Sequence, residues 1–260
     1  MISIITPVYN GEKYIEACIE NVIGQKCPDI EHIIIDGGST DRTVEIIKQY
    51  AEAYPHIRWI SEKDKGQSDA MNKGNAMAVG KILGFLNADD YYEPEVLNRV
   101  REIFWKLPEP SLIVANCKVW DRNGNHYLNK PSKLNYVYLS MGGEYPYNSS
   151  SYFYHKSLHK LIGGYKVDEH FAMDVDFILR AVKVAHTKYI NETWGNMRFI
   201  PGTKTYTDQL IGLSEERYQN ILKYYQSQLS MIQKLKGTYL IICFGFKKVV
   251  KRISCITRWI

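Results

Sequence analysis

Ile82-Leu83-Gly84-Phe85-Leu86-Asn87-Ala88-Asp89-Asp90 joins five apolar residues to a polar, doubly acidic end. The apolar run reads as a buried strand. Two carboxylates at the carboxyl end of a buried strand are costly to desolvate unless something binds them. In an open α/β sheet, that end faces the ligand crevice. Paired carboxylates suit a hard divalent cation, and such a cation suits a diphosphate. The stretch therefore reads as a metal–nucleotide site or as an acidic turn ahead of a helix that starts near Pro94.

Working outward, strands are expected over residues 2–8, 31–36, 57–61 and 82–86. Helices are expected between them. The first is capped by Asn10 and runs to about Ile23, and the second is capped by Ser39 or Thr40 and runs to about Tyr54. The third spans residues 69–79 after a Gly-containing loop at 63–68. This alternation predicts a doubly wound, mostly parallel sheet of Rossmann-like type. Its strand ends collect Thr6, Tyr9, Asp36, Asp64, Asp89 and Asp90 on one edge. Pro94 opens a further helix to Lys106. Residues 112–119 read as a strand, 122–125 as a hairpin turn and 130–151 as loops over the crevice. A strand at 151–154 is followed by a short helix ending at Gly163-Gly164, and residues 174–183 are helical.

The 260 residues fit one large domain with a tail. The net charge of +5 conceals an asymmetry: residues 217–260 hold nine Lys and Arg and no Asp or Glu, while the first 216 residues are net acidic. Only the tail therefore asks for an anionic partner, and an acidic body argues against nucleic acid. The five cysteines have no metal-knuckle spacing and read as reduced thiols. The first residues run straight into a strand with no leader pattern, so an intracellular protein is expected.

Several motifs then occur in order: Thr6-Pro7-Val8-Tyr9-Asn10-Gly11, Ile35-Asp36-Gly37-Gly38-Ser39-Thr40-Asp41, Asp64-Lys65-Gly66-Gln67-Ser68-Asp69-Ala70-Met71-Asn72-Lys73-Gly74 and Leu86-Asn87-Ala88-Asp89-Asp90. Gly163-Gly164-Tyr165 and Met173-Asp174-Val175-Asp176-Phe177 follow. Together they resemble family 2 glycosyltransferases of the GT-A fold, over roughly residues 1–205. The resemblance implies an inverting, metal-dependent enzyme of bacterial surface polysaccharide assembly. It would move one sugar from a nucleoside diphosphate sugar, UDP-linked by family habit, to a glycan or polyprenyl-linked acceptor. The Q-x-x-R-W element of processive synthases is absent, which favours single transfer.

By that resemblance, Asp36 contacts the nucleotide base, with Thr6 and Tyr9 bordering the pocket. Asp36 could instead cap the Ser39–Thr40 turn, and Tyr9 could pack in the core. Asp64 and Asp69 line the nucleotide-sugar site, although Asp69 could equally cap its helix. Asp89 and Asp90 hold Mn2+ or Mg2+, and Asn87 stands where a first aspartate is common, suited to a ribose or sugar hydroxyl. Gly37 also replaces a second aspartate. Asp174 is the general base, with a helix N-cap as its alternative role. Asp176, about 200° away around the helix, is expected to pair with Arg180. Arg198 and Lys204, in a Gly-containing loop, would close on the diphosphate.

The expected organisation is a catalytic domain over 1–205, with a nucleotide-sugar half at 1–110 and an acceptor half at 111–205, then C-terminal helices over 206–260. On a helix, Ile242, Phe246, Val249, Val250, Ile253, Ile256 and Ile260 share one face. Lys247, Lys248, Lys251 and Arg258 lie opposite, with Arg252 at the edge. This pattern fits a peripheral helix on the inner face of the plasma membrane, where a lipid-linked acceptor is presented. Packing on the domain or in a homodimer is the alternative. Two rival functions are a catalytically inactive nucleotide-sugar-binding protein, which needs no Asp174, and a sugar nucleotidyltransferase, which needs an N-terminal Gly-rich basic phosphate loop that residues 6–11 lack.

Overall fold

The computed structural model describes residues 1–256, with side chains described except those of Gln209 and residues 244–256. The amino-terminal half is β1 (Ile2–Val8), α1 (Ile15–Gly24), β2 (Ile30–Asp36), α2 (Thr43–Ala53), β3 (Ile57–Ser61), α3 (Gln67–Met77), β4 (Ile82–Phe85), β5 (Tyr91–Tyr92) and α4 (Val96–Phe104). Then come β6 (Ser111–Trp120), β7 (His126–Asn129), α5 (Tyr136–Ser140), β8 (Tyr152–His155), α6 (Lys156–Ile162), α7 (Met173–Ala181) and β9 (His186–Arg198). Three helices follow: α8 (Lys204–Leu210), α9 (Leu213–Ser227) and α10 (Met231–Ile256).

The strands form one nine-stranded sheet in the order β3-β2-β1-β4-β8-β6-β9-β5, with β7 on β6. β1 to β4 are parallel, as the alternating pattern predicts. Beyond them the expectation of a mostly parallel sheet holds only for β6 and β9, which pair parallel. β8 inserts antiparallel between β4 and β6, and β5 and β7 also pair antiparallel, so the sheet is mixed.

Burial follows from strand alternation. On β2, Ile33 and Ile35 face one core with Ile5, Met71 and Phe85, while Ile34 faces the other with Ile15, Ile19 and Ile47. Every residue of β1 is buried, so it is covered on both faces. A Cβ on Gly84 would lie 2.4 Å from the Phe153 ring, so only glycine lets β4 and β8 close up at this point.

Several local expectations shift. Asn10 does not cap α1. It adopts φ 48°, and its Oδ1 accepts the Thr40 N–H at 2.9 Å, tying the first loop to the second. Asp41, rather than Ser39 or Thr40, accepts the Thr43 N–H at 3.0 Å at the start of α2. Residues 130–151 do not form a loop layer over an open crevice. They carry α5, whose Tyr138 and Leu139 enter the core, and a buried turn at Ser149–Ser151. α9 buries Tyr218, Leu222 and Tyr225 in the same core. Cys18, Cys27 and Cys117 are buried free thiols.

α10 packs one side on the body, with Gly237 against Val137 and Met141 and with Leu240 and Ile241 on the core. Met231, Ile232, Leu235, Tyr239 and Ile242 on its other side are each more than half exposed. The rest of the anticipated amphipathic face, from Phe246 onward, and its opposing basic side chains lie outside the described residues. Among the described residues, no helix is long and apolar enough to cross a membrane.

Candidate active site

The parallel register brings Val8, Asp36 and Ser61 side by side at the carboxyl ends of β1, β2 and β3. β4 runs beside β1 and delivers Asn87 to Asp90 to the same edge. Tyr9, 64% exposed, presents a ring there. Thr6 does not, because its side chain is fully buried and its hydroxyl is hydrogen-bonded to His32 Nε2 at 2.9 Å. Thr6, two residues before the strand end, points into the core.

Asp36 stands at the carboxyl end of β2. It is fully buried, and its Oδ2 accepts from the N–H of Gly38 and Ser39, both at 3.0 Å, and from Ser61 Oγ at 2.6 Å. The Ser39 hydroxyl donates to Oδ1. A carboxylate so enclosed shapes the turn. Asp64 is the carboxylate nearer the open edge. Its Oδ1 accepts the Gly66 N–H at 2.8 Å, and its Oδ2 lies 2.7 Å from where a Cβ of residue 37 would be. The absence of a side chain at Gly37 is thus the room that Asp64 occupies. Asp69 accepts the Lys65 N–H at 3.1 Å and pairs with Lys73 at 3.4 Å, bracing the turn into α3.

In the Asn87–Asp90 turn, the two aspartates differ. Asp90 is 3% exposed, and its carboxylate accepts from Asn87 Nδ2 at 2.9 Å, Asn148 Nδ2 at 2.8 Å and the Arg198 N–H at 3.0 Å. Burial, and then the Asp89 charge, push it up to about 7. Asn87, expected at a sugar hydroxyl, uses its other end to accept Gln67 Nε2 at 2.8 Å. Both side chains brace the turn from within. Asp89 is only half-buried, and burial raises its pKa while the Arg198 charge opposes the rise. Arg198 Nε donates to the Asp89 carbonyl at 2.5 Å. Among the described residues, no three or more His, Cys, Asp or Glu side chains gather as a metal cluster. A single carboxylate fits Mn2+ or Mg2+ where diphosphate oxygens and water complete the shell.

Asp174 stands at the second position of α7, half-buried. Its Oδ1 accepts the Tyr152 hydroxyl at 2.5 Å. Burial raises its pKa, opposed by that hydrogen bond and by the charge of Lys204. Asp176 turns the other way, onto Arg180 at 2.8 Å, Lys166 at 2.7 Å and Tyr225 at 2.8 Å, as the helical spacing predicts for its arginine partner. The two expected cations separate. Arg198 joins Asp89, whereas Lys204 pairs with Asp208 at 2.8 Å on the Asp174 side. Adjacent residues of α3 link the two centres: Gln67 holds Asn87, and Ser68 Oγ lies 2.9 Å from the sulfur of Met173, beside Asp174.

Gln67, Asn148 and Tyr152 were not singled out from the sequence. Gln67 lies inside a motif already quoted. Asn148 and Tyr152 sit in a stretch rich in Tyr and Ser, where no spacing distinguishes them.

These features define a GT-A-like α/β domain, with a mixed sheet and C-terminal helices. The chain belongs to glycosyl transferase family 2, whose model matches residues 3–173. It is similar to the uncharacterized glycosyltransferase YibD of Escherichia coli K12, 40% identical over 116 residues, which are 45% of this chain and 33% of that protein. It is also similar to the chondroitin synthase of Escherichia coli, 34% identical over 125 residues, 48% of this chain and 18% of that one. It therefore spans only a minor part of each relative's length. Among solved structures, residues 1–349 of S. aureus TarS in complex with UDP match with a TM-score of 0.68 at 18% identity, covering 95% of this chain and 73% of that one. The mannosyltransferase PcManGT of Pyrobaculum calidifontis, in complex with GDP-Man and Mn2+, matches with a TM-score of 0.62 at 13% identity, covering 98% and 84%.

Proposed function

We propose that this chain is an inverting glycosyltransferase that moves one sugar from a UDP-linked donor to a glycan or lipid-linked acceptor. The observation that carries the reading is the link through Gln67 and Ser68, which ties the Asp89 turn to the start of the helix bearing Asp174. The uracil ring would stack on Tyr9, and its imide N–H would donate to Asp64. The diphosphate would lie against Asp89 and Arg198, and a Mn2+ or Mg2+ ion held by Asp89 would supply Lewis-acid neutralisation of the departing charge. Asp174 takes the proton from the acceptor hydroxyl. The acceptor oxygen then bonds to the anomeric carbon as the bond to the diphosphate breaks, and the electron pair leaves with the nucleotide. Residues 1–110, with Arg198, would serve the donor, the rest of 111–205 the acceptor, and α10 attachment.

The test is release of free nucleoside diphosphate from UDP-, GDP- and dTDP-sugars in the presence of Mn2+. Turnover of UDP-sugars, lost in Asp64→Ala without a change in thermal midpoint, is expected. Turnover of none of the donors would favour the inactive binding protein.

Membrane attachment rests on the exposed stripe of α10. Lys234 and Lys236 border Met231, Ile232, Leu235, Tyr239 and Ile242, and no acidic residue follows Glu216. Apolar side chains set between lysines suit the interface of an anionic leaflet, here the inner face of the plasma membrane. Flotation with phosphatidylglycerol-containing vesicles is expected for the wild type, weakened by salt and lost in the Ile232→Ser, Leu235→Ser double variant. Equal flotation of both proteins would end the idea.

A further inference from the structure

Asp174 terminates a file of buried hydrogen-bonding side chains. The Tyr152 hydroxyl donates to Asp174 Oδ1 at 2.5 Å. A phenol has one proton, so in the 3.1 Å contact between the Tyr152 and Tyr165 hydroxyls the donor is Tyr165. Behind them, the Tyr154 hydroxyl lies 3.0 Å from His159 Nδ1. His159 is buried, and that burial, with Arg180 and Lys156 nearby, lowers its pKa to about 4, so the ring is neutral. The hydrogen bonds from Tyr165 to Tyr152 and from Tyr152 to Asp174 both point toward Asp174.

The file is also held rigidly. The Tyr165 ring stacks on Phe177 with centroids 4.5 Å apart. Asn72 clamps the Tyr165 backbone from α3, accepting its N–H at 2.9 Å and donating to its carbonyl at 2.7 Å. The conformation that presents the Tyr165 hydroxyl is thus fixed from both sides.

We propose that Tyr152, backed by Tyr165, is the positioning residue of the base: it occupies Oδ1 of Asp174 and leaves Oδ2 to take the acceptor proton. This rests on Asp174 being the base. Aligned donors polarise one another, and a hydrogen bond to the ionised form keeps a carboxylate charged against burial. The other charge acting on Asp174 is Lys204 on α8. On α7 itself, Asp176 is paired with both Arg180 and Lys166 on the opposite face.

The experiment is the pH–rate profile of Tyr152→Phe and Tyr165→Phe beside Asp174→Asn, with donor KM and thermal midpoint measured for each. Tyr152→Phe is expected to move the acid limb upward by about one pH unit, the effect of losing a hydrogen bond to a charged group. Its kcat should fall roughly tenfold at the acid end, with donor KM unchanged. Tyr165→Phe should shift the limb the same way by less. An active Asp174→Asn enzyme would remove the base reading itself. An inactive Asp174→Asn with an unmoved acid limb in Tyr152→Phe would reduce Tyr152 to a core residue and overturn this proposal alone. Should Tyr152→Phe fail to fold, an unmoved limb in Tyr165→Phe overturns it equally.

Discussion

Asp174→Asn is expected to abolish sugar transfer while leaving donor binding intact, with kcat down by about 10³-fold, in the range general-base removal gives. Asp174 is half-buried with its carboxylate on Tyr152, whereas Asp176, two residues on, is consumed by Arg180, Lys166 and Tyr225. No second carboxylate on that helix can therefore replace it. Asparagine keeps the shape and can still accept from Tyr152, so the fold should persist. It cannot take a proton, and that difference alone should account for the loss. Burial raises the Asp174 pKa, so the active, ionised form should disappear at a higher pH than for an ordinary carboxylate. The wild-type rate should accordingly fall on acidification through a limb above about pH 4. Equal kcat in the two proteins, measured with saturating donor and acceptor, would remove Asp174 from the chemistry.

The sequence disclosed the donor half of this site better than the acceptor half, for physical reasons. β1, β2 and β4 are short apolar runs closed by polar residues, and buried parallel strands have that form whatever surrounds them. β9 escaped notice because most of its first eight residues are at least partly exposed, so its pattern is polar and weakly alternating, and its pairing with β6 is broken by register shifts. The insertion of β8 between β4 and β6 is a choice of partner, which no local pattern encodes.

Within the site, the motifs located the carboxylates but not their direction. Asp36 and Asp90 turn inward onto hydrogen-bond donors, while Asp64 and Asp89 remain at the edge. That split depends on Ser61, Asn148 and Arg198, which are remote in sequence from the residues they hold. Tyr152 was hidden for the same reason: it lies 22 residues from the aspartate it touches.

The neighbouring aspartates of the Asn87–Asp90 turn should accordingly fail in different ways. Asp89→Ala is expected to cost metal-dependent nucleotide affinity and nothing else. In calorimetric titration of UDP with Mn2+, binding should weaken by about two orders of magnitude, equivalent to ~2.7 kcal/mol, toward the value measured without metal. The thermal midpoint should change little, since the hydrogen bond to Arg198 comes from the Asp89 backbone carbonyl, which alanine retains. Asp90→Ala should act through the fold. It strips the acceptor from three donors, Asn87 Nδ2, Asn148 Nδ2 and the Arg198 N–H, in a place that is 3% exposed. Leaving buried donors unsatisfied costs about 1–3 kcal/mol each, partly offset because a charged group no longer has to be buried. A net loss of ~2 kcal/mol would lower the midpoint of a chain this size by roughly 4–8 °C. Nucleotide binding should then weaken with and without Mn2+ alike, because Arg198 and Asn87 lose their anchor. If the two variants instead lost metal-dependent binding equally, with equal midpoints, Asp90 would be a direct ligand, and its inward hydrogen bonds would have to open when the cation arrives.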